Sequence, residues 1–307
     1  MVEIGIMIEG QNGLNWDRWQ RIARTVEEAG YSSLFRSDHF TNSKPPDIDS
    51  LELWVSLTWL ALNSSRLEFG SLVTPMSFRH PVHTARMAAA VDDLSGGRMS
   101  LGLGAGWQER EHENFGFDLS KPSDRFNRFE EGVNIISRLL HSDEAVYFNG
   151  KFFGLNGAII LPRPIRTGGP PLIIGGVGEK RTLAVAAQYA DEWNALFIPL
   201  KEFSRLNDSL DNMLRKNGRA PSKVRRSLMT GCIFGNTREE VDKKITERMN
   251  GQSGSTELRK RGFIVGTAEE IREQIELLGE AGAHRVILQW LDLENMEGLH
   301  AMAEGII

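Results

Sequence analysis

Cysteine is nearly absent: Cys232 is the single thiol in 307 residues. One thiol excludes an intrachain disulfide framework and fits a reducing compartment. Set in "TGCIFG", it reads as a small buried strand residue and not as a reactive group. Basic blocks are missing as well. Lys and Arg number 36 against 41 Asp and Glu, a net charge of −5, which argues against a nucleic-acid or anionic-membrane partner. No apolar run approaches the roughly 18–20 residues that a bilayer span requires. The opening "MVEIGIMIEG" lacks the basic flank and small-residue cleavage site of a signal peptide, so a cytoplasmic protein is expected. Metal-ligand spacing is lacking: there is no H-x-x-x-H and no cysteine pair, and His80 and His83 sit at a helix start. "DLSGGR" closes a helix where a nucleophile elbow joins strand to helix, which removes Ser95 as a nucleophile.

What is present is ordinary globular material, 40% hydrophobic and 25% charged. Short β-like runs alternate with amphipathic helices. Ile4–Ile8, Ser33–Phe35, "RLEFGSLVT", "RMSLGLGAG", "LIIGG", "DEWNAL", "RSLMTGCIF" and "HRVILQW" read as eight strands. Helices follow them. One is capped by Asn15 and ended by Gly30, another runs over Pro81–Leu94, and two open on the boxes Thr237-x-x-Glu240 and Thr267-x-x-Glu270. Another helix is expected to begin near Glu179. Eight strands, each followed by helix, predict an α/β fold, a (β/α)₈ TIM barrel, as a single domain over 1–307. A doubly wound sheet with an appended domain is the alternative. An insertion at about 143–165 reads as a hairpin turning at Asn149-Gly150. The stretch 250–262, "NGQSGSTELRKRG", reads as a surface loop or as a lid.

In such a barrel the ligand sits at the C-terminal ends of the strands. Unusual residues collect there: Glu9, Asp38 and His39, Thr74, Gly104, Gly106 and Trp107, Gly175-Gly176, Trp193-Asn194, Gln289-Trp290. In "LGLGAGW" the alternating glycines leave one strand face bare, for close packing or for a flat ring. In "LIIGGVGEKRT" a strand breaks into Gly175, Gly176, Val177 and Gly178 before a helix, an ordinary turn or a phosphate cradle to which Lys180 and Arg181 add charge. Asp38 can accept from a ring N–H or close an Asx-type turn, and His39 titrates near neutrality. Trp16, Phe40, Trp107, Phe197 and Trp290 hint at an apolar pocket.

Together the segments "EEAGYSSLFRSDHF", "RHPVHTARMAAAVDDLSGGRMSLGLGAGWQEREHENFGF", "PRPIRTGGPPLIIGGVGEKRTLAVAAQYADEWN" and "FIVGTAEEIREQIELLGEAGAHRVIL" resemble the bacterial luciferase-like family, in the same order and over nearly the whole chain. They most resemble its branch that uses the deazaflavin coenzyme F420; flavin mononucleotide (FMN) relatives share the barrel. The resemblance implies that Asp38 lies at the deazaflavin ring and that Ser71-Leu72 is a pair often bearing a non-prolyl cis peptide. It further implies that Thr74, Gly106 and Trp107 line the ring, with Glu111 in a cofactor-binding polar position behind them, and that Gly175, Gly176, Val177 and Gly178, with Arg181, cradle the phosphate.

His39 matches an acid/base or substrate-contacting position in the family's sugar-phosphate dehydrogenases. Those enzymes have a glutamate where this chain has Trp107, and an aromatic where it has "TNSKPP", so glucose-6-phosphate is not the expected substrate. The expected activity is F420-dependent hydride transfer to or from a small organic substrate. An FMN monooxygenase is the alternative, followed by a non-catalytic flavin-binding barrel. The resemblance also implies a homodimer, joined through the helices after strands two and three.

Overall fold

The computed structural model describes residues 2–249 and 253–307. In chain order come β1 (Glu3–Ile8), α1 (Trp16–Glu28), β2 (Ser33–Arg36), α2 (Leu53–Asn63), β3 (Glu68–Pro75), α3 (Pro81–Leu94) and β4 (Met99–Gly104). Helices α4 (Glu109–Phe115) and α5 (Pro122–His141) then lead to a hairpin of β5 (Val146–Asn149) and β6 (Gly154–Ala158). Next are β7 (Leu172–Gly175), α6 (Thr182–Tyr189), β8 (Glu192–Leu196), α7 (Leu200–Lys216), β9 (Arg225–Phe234) and α8 (Arg238–Met249). The chain finishes with α9 (Ser255–Lys260), β10 (Ile264–Gly266), α10 (Ala268–Glu280), β11 (Arg285–Gln289) and α11 (Met296–Ile306).

The parallel order β1-β2-β3-β4-β7-β8-β9-β11 returns to β1, so the sheet closes into an eight-stranded barrel. Closure excludes the open doubly wound alternative. The eight staves are the eight segments expected from sequence. Strand β10 is additional. Strand β9 pairs through Ser227–Gly231 with β11 and through Cys232–Phe234 with β10, so one long strand serves two neighbours in succession. Among the described residues no helix is long and apolar enough to cross a membrane.

Alternation of side chains explains the two cores. On β1, Ile4, Ile6 and Ile8 point into the large cluster between barrel and helices. Met7 instead joins Phe35, Leu72, Ile173, Met229 and Ile287 inside the barrel. Beneath that plug the guanidinium of Arg285 lies 5.4 Å from the Phe35 ring centroid, fully buried. It pairs with Glu3 at 3.2 Å, with Glu192 at 3.6 Å and with Glu68, while Arg225 contacts the same three carboxylates. Charges therefore close the N-terminal end of the barrel.

Several local expectations are met and others corrected. Asn15 caps α1, and the Thr267–Glu270 box forms in full. In the Thr237 box, Glu240 reaches one residue further back, to the Asn236 amide at 2.9 Å. The hairpin does not turn at Asn149-Gly150: Asn149 pairs with Gly154 and the loop spans 150–153. The reason is tertiary, because the Glu131 carboxylate on α5 accepts from the amides of Lys151, Phe152 and Phe153. Helix α6 begins at Thr182 instead of near Glu179, whose carboxylate accepts from Ser209 and Arg205. Of the stretch 250–262, residues 250–252 lie outside the described residues. The remainder is no loose loop, since α9 buries Leu258 against Ile233, Val241, Ile245 and Val265.

Replacing one partner of a buried ion network strands the others. Arg285→Leu is therefore expected to lower stability by about 3–5 kcal/mol, read as a shift of the urea midpoint. A loss below about 1 kcal/mol would show that the bottom charges are solvated rather than structural.

Candidate active site

The mouth is shaped first by β3. Ser71 pairs with Leu101 and Thr74 with Leu103, three steps against two, so β3 carries one extra residue there. The cis peptide is Leu72–Val73, one bond later than the expected Ser71–Leu72. A Cβ on Gly104 would come 2.5 Å from Val73 Cγ2, and one on Gly175 2.8 Å from Val73 Cγ1. One on Gly102 would collide with the Ser71 carbonyl. The bare face of β4 thus admits the bulge and is packed; it is not left open for a ring. Gly106 is different: it turns the chain at φ +87°, and a side chain there would meet Ser77. Thr74 is fully buried, and its hydroxyl has no partner among the described residues. A buried unpaired hydroxyl costs free energy unless a ligand or water meets it.

At the end of β2 the charges come in pairs. Asp38 accepts two bonds from Arg79, at 2.8 Å each, and Arg79 also reaches Glu52 at 3.0 Å. Both Asp38 oxygens are occupied by this fork, so its partner is a guanidinium from the segment before α3. His39 Nδ1 lies 3.0 Å from both oxygens of Glu111 on α4, and Glu111 Oε2 also accepts from the Phe40 amide at 3.2 Å. Burial pulls the His39 pKa down, but the hydrogen bond and charge of Glu111, with Glu9 and Asp38, hold it above the ordinary 6.5. The pair therefore stabilises the fold in full below pH 6.5 and loses that contribution as pH rises through the folded-state pKa. The Trp107 ring meets the imidazole edge-on at 5.7 Å and is 62% exposed.

After β7, the Gly176 amide donates to the Asn194 carbonyl and the Gly176 carbonyl accepts from the Trp193 indole at 2.8 Å. Gly176 adopts φ +133°. Among the described residues the amides of Val177, Gly178, Glu179 and Lys180 have no partner, and they precede the first turn of α6. Arg181 lies 4.2 Å over the Phe126 ring and binds Asn127 and Glu130, so α5 holds its charge.

The remaining aromatic residues separate. Trp290 is buried, with its indole on the Asp292 carbonyl, and Trp193 stacks on Phe203 while its indole holds the turn after β7. Trp16 packs edge-on against Trp59 on the outside. Phe40 joins Phe78, Phe115 and Phe117 in one cluster. Phe197 sits at φ 47° and packs with the barrel plug, as does Val73. Glu9 accepts from Gln289 at 2.8 Å and from Gln11 at 3.0 Å. Sequence reasoning missed Arg79, which no spacing marks, and the only signal was a basic residue in "SFRHP" at the same end as Asp38.

A closed parallel barrel whose C-terminal mouth gathers a paired imidazole, a bulged strand and a glycine turn with free amides is an enzyme scaffold. The chain belongs to the luciferase-like monooxygenase family, whose model matches residues 2–256. It is an enzyme of that family, among whose relatives are oxidoreductases and monooxygenases. It is 26% identical to the 4-hydroxyprotoasukamycin monooxygenase of Streptomyces nodosus subsp. asukaensis, over 93% of this chain and 84% of that protein. It is 34% identical to a phthiodiolone/phenolphthiodiolone dimycocerosates ketoreductase of Mycobacterium sp. (strain JLS), over 66% of this chain and about half (54%) of that one. In fold it resembles an F420-dependent secondary alcohol dehydrogenase in complex with an F420-acetone adduct. The TM-score is 0.86 at 20% identity, covering 100% of this chain and 98% of the other.

Cys232 is buried, and burial pushes its thiol up to about 12. At pH 8 only ~1 thiol in 10⁴ is then ionised. A thiol reagent at pH 8 should leave the native protein unlabelled and react at once in urea. Rapid native labelling would contradict the packing of β9 against α11.

Proposed function

We propose that this enzyme is an F420-dependent oxidoreductase that moves a hydride between the deazaflavin and a small organic substrate of the alcohol–carbonyl type. The observation that carries the reading is His39: its Nδ1 is occupied by Glu111, and its Nε2 has no partner among the described residues. Hydride transfer to a carbonyl requires a proton donor at the oxygen, and the reverse requires an acceptor. An imidazole fixed by one nitrogen and free at the other suits both directions.

The mouth also fits a flat ring with a phosphate tail. The buried Thr74 hydroxyl lacks a partner. The partly exposed Val73 and Phe197 cap an apolar plug, and the free amides of Val177–Lys180 precede a helix. Thr74, Ser71, Leu72, Gly106 and Trp107 would hold the ring, and Gly175, Gly176, Val177 and Gly178 the phosphate. Asp38 acts here through Arg79, whose charge it offsets at the rim. When bound, the coenzyme supplies or accepts the hydride at C5. The protein orients the substrate carbon toward that position, and His39 Nε2 passes one proton to, or takes it from, the substrate oxygen. A hydride to the carbon and one proton to the oxygen thereby convert carbonyl to alcohol, and the reverse transfers convert alcohol to carbonyl.

An FMN monooxygenase is the second reading; the relative that aligns over 93% of the chain supports its monooxygenase part, being named a monooxygenase. Fluorescence titration separates the two. F420 is expected to bind at micromolar concentration and FMN more weakly; FMN binding without F420 binding would reject the first reading.

We further infer a homodimer through α2 and α3, supported by exposed Val55 (57%), Leu62 (64%) and Leu94 (47%). Sedimentation should give twice the 34.4 kDa chain mass; one chain mass would remove this inference.

A further inference from the structure

His39 is restrained from several directions at once. Glu111 holds Nδ1 with both oxygens at 3.0 Å, Glu111 Oε2 also holds the next amide, and Ser50 donates to the His39 carbonyl at 2.6 Å. Three carboxylates surround the ring: Glu9 from the end of β1, Asp38 from the same loop, and Glu111 from α4. Asp38 is taken up by Arg79, and Glu9 by Gln11 and Gln289. Of the three, Glu111 is the one that touches the imidazole. At 1% exposure, it has no hydrogen-bond partner among the described residues other than His39 and the Phe40 amide. A ring-contacting role would need an oxygen open to the mouth, and at this burial behind His39 neither oxygen is.

We propose that Glu111 is a positioning residue and not a cofactor contact: it fixes His39 with the hydrogen on Nδ1, so that Nε2 alone meets the substrate oxygen. The inference rests on the reading of His39 as the proton-transfer group. A carboxylate on Nδ1 selects the tautomer and stabilises the imidazolium, as any buried acceptor at that nitrogen does. It also fixes the ring plane through the Phe40 amide, so the direction of Nε2 is set before substrate arrives.

Glu111→Gln keeps the size and an acceptor but removes the charge. In the protein without cofactor, the His39 ring proton followed by NMR should titrate above 6.5 in the parent and at lower pH in the variant, where only the charges of Glu9 and Asp38 still oppose burial. With cofactor, kcat/KM should fall by about 10²-fold, and its pH limb should move to lower pH. The Kd for F420 should stay the same. Glu111→Asp should return part of both shifts, and it serves in place of the glutamine variant if that one does not fold. An unchanged His39 titration, or a loss of F420 affinity matching the loss of kcat/KM, would overturn the assignment. His39→Gln separates the two readings: full turnover in that variant would remove proton transfer by His39, while the ring titration would still decide whether Glu111 holds the imidazole.

Discussion

The extra residue between Ser71 and Thr74 is the constraint around which the mouth is organised. A bulge pushes backbone and side chain into space that neighbouring strands ordinarily fill, and it survives only where those strands give way. Here they give way through missing Cβ atoms: Gly102 and Gly104 on β4 and Gly175 on β7 leave room for Ser71, Leu72 and Val73. The Ser71 hydroxyl then donates to the Gly102 carbonyl at 3.0 Å, tying the bulge to the strand that admits it. Thr74 is carried to a buried position where its hydroxyl stays unpaired. Three glycines on two strands and one polar orphan are thus parts of a single local event.

Electrostatics complete that event at the rim. The buried Asp38 and Glu111 and the half-buried Glu9 each have a neighbour that offsets desolvation: Arg79 for Asp38, His39 for Glu111, Gln11 and Gln289 for Glu9. Burial also pulls the Arg36 guanidinium down to about 10 in spite of Asp38 and Glu52, with Ser56 and the Glu52 carbonyl among its acceptors. At the opposite end Arg285 and Arg225 answer Glu3, Glu68 and Glu192. The apolar plug from Met7 to Ile287 separates the two charged layers. One layer is closed on itself, and the other leaves Nε2 of His39 and a run of amides without partners among the described residues.

The staves and their order were legible because each is a short apolar run ended by glycine, proline or a polar pair, and each is set by local chemistry. Asn15 and the Thr267 box were legible for the same reason. The features that the sequence hid depend on distant partners. Glu131 reshapes the hairpin loop from about twenty residues away, and Leu258 turns an apparently soft stretch into a packed helix. Arg79 occupies the carboxylate that composition alone would hand to a ligand. At the mouth, Asp38, His39 and Glu111 stood out in the sequence, but their partners could not be read, because no spacing encodes which acid meets which base across 72 residues.

Trp193 lies flat against Phe203 while its indole holds the Gly176 carbonyl, so the loop after β7 is shaped by the hydrophobic core before anything arrives. If, as proposed, an anion binds there, it would meet amides whose loop needs no slow refolding. Little ordering entropy would oppose its capture, and the tenacity of the complex would be governed by the rate of departure.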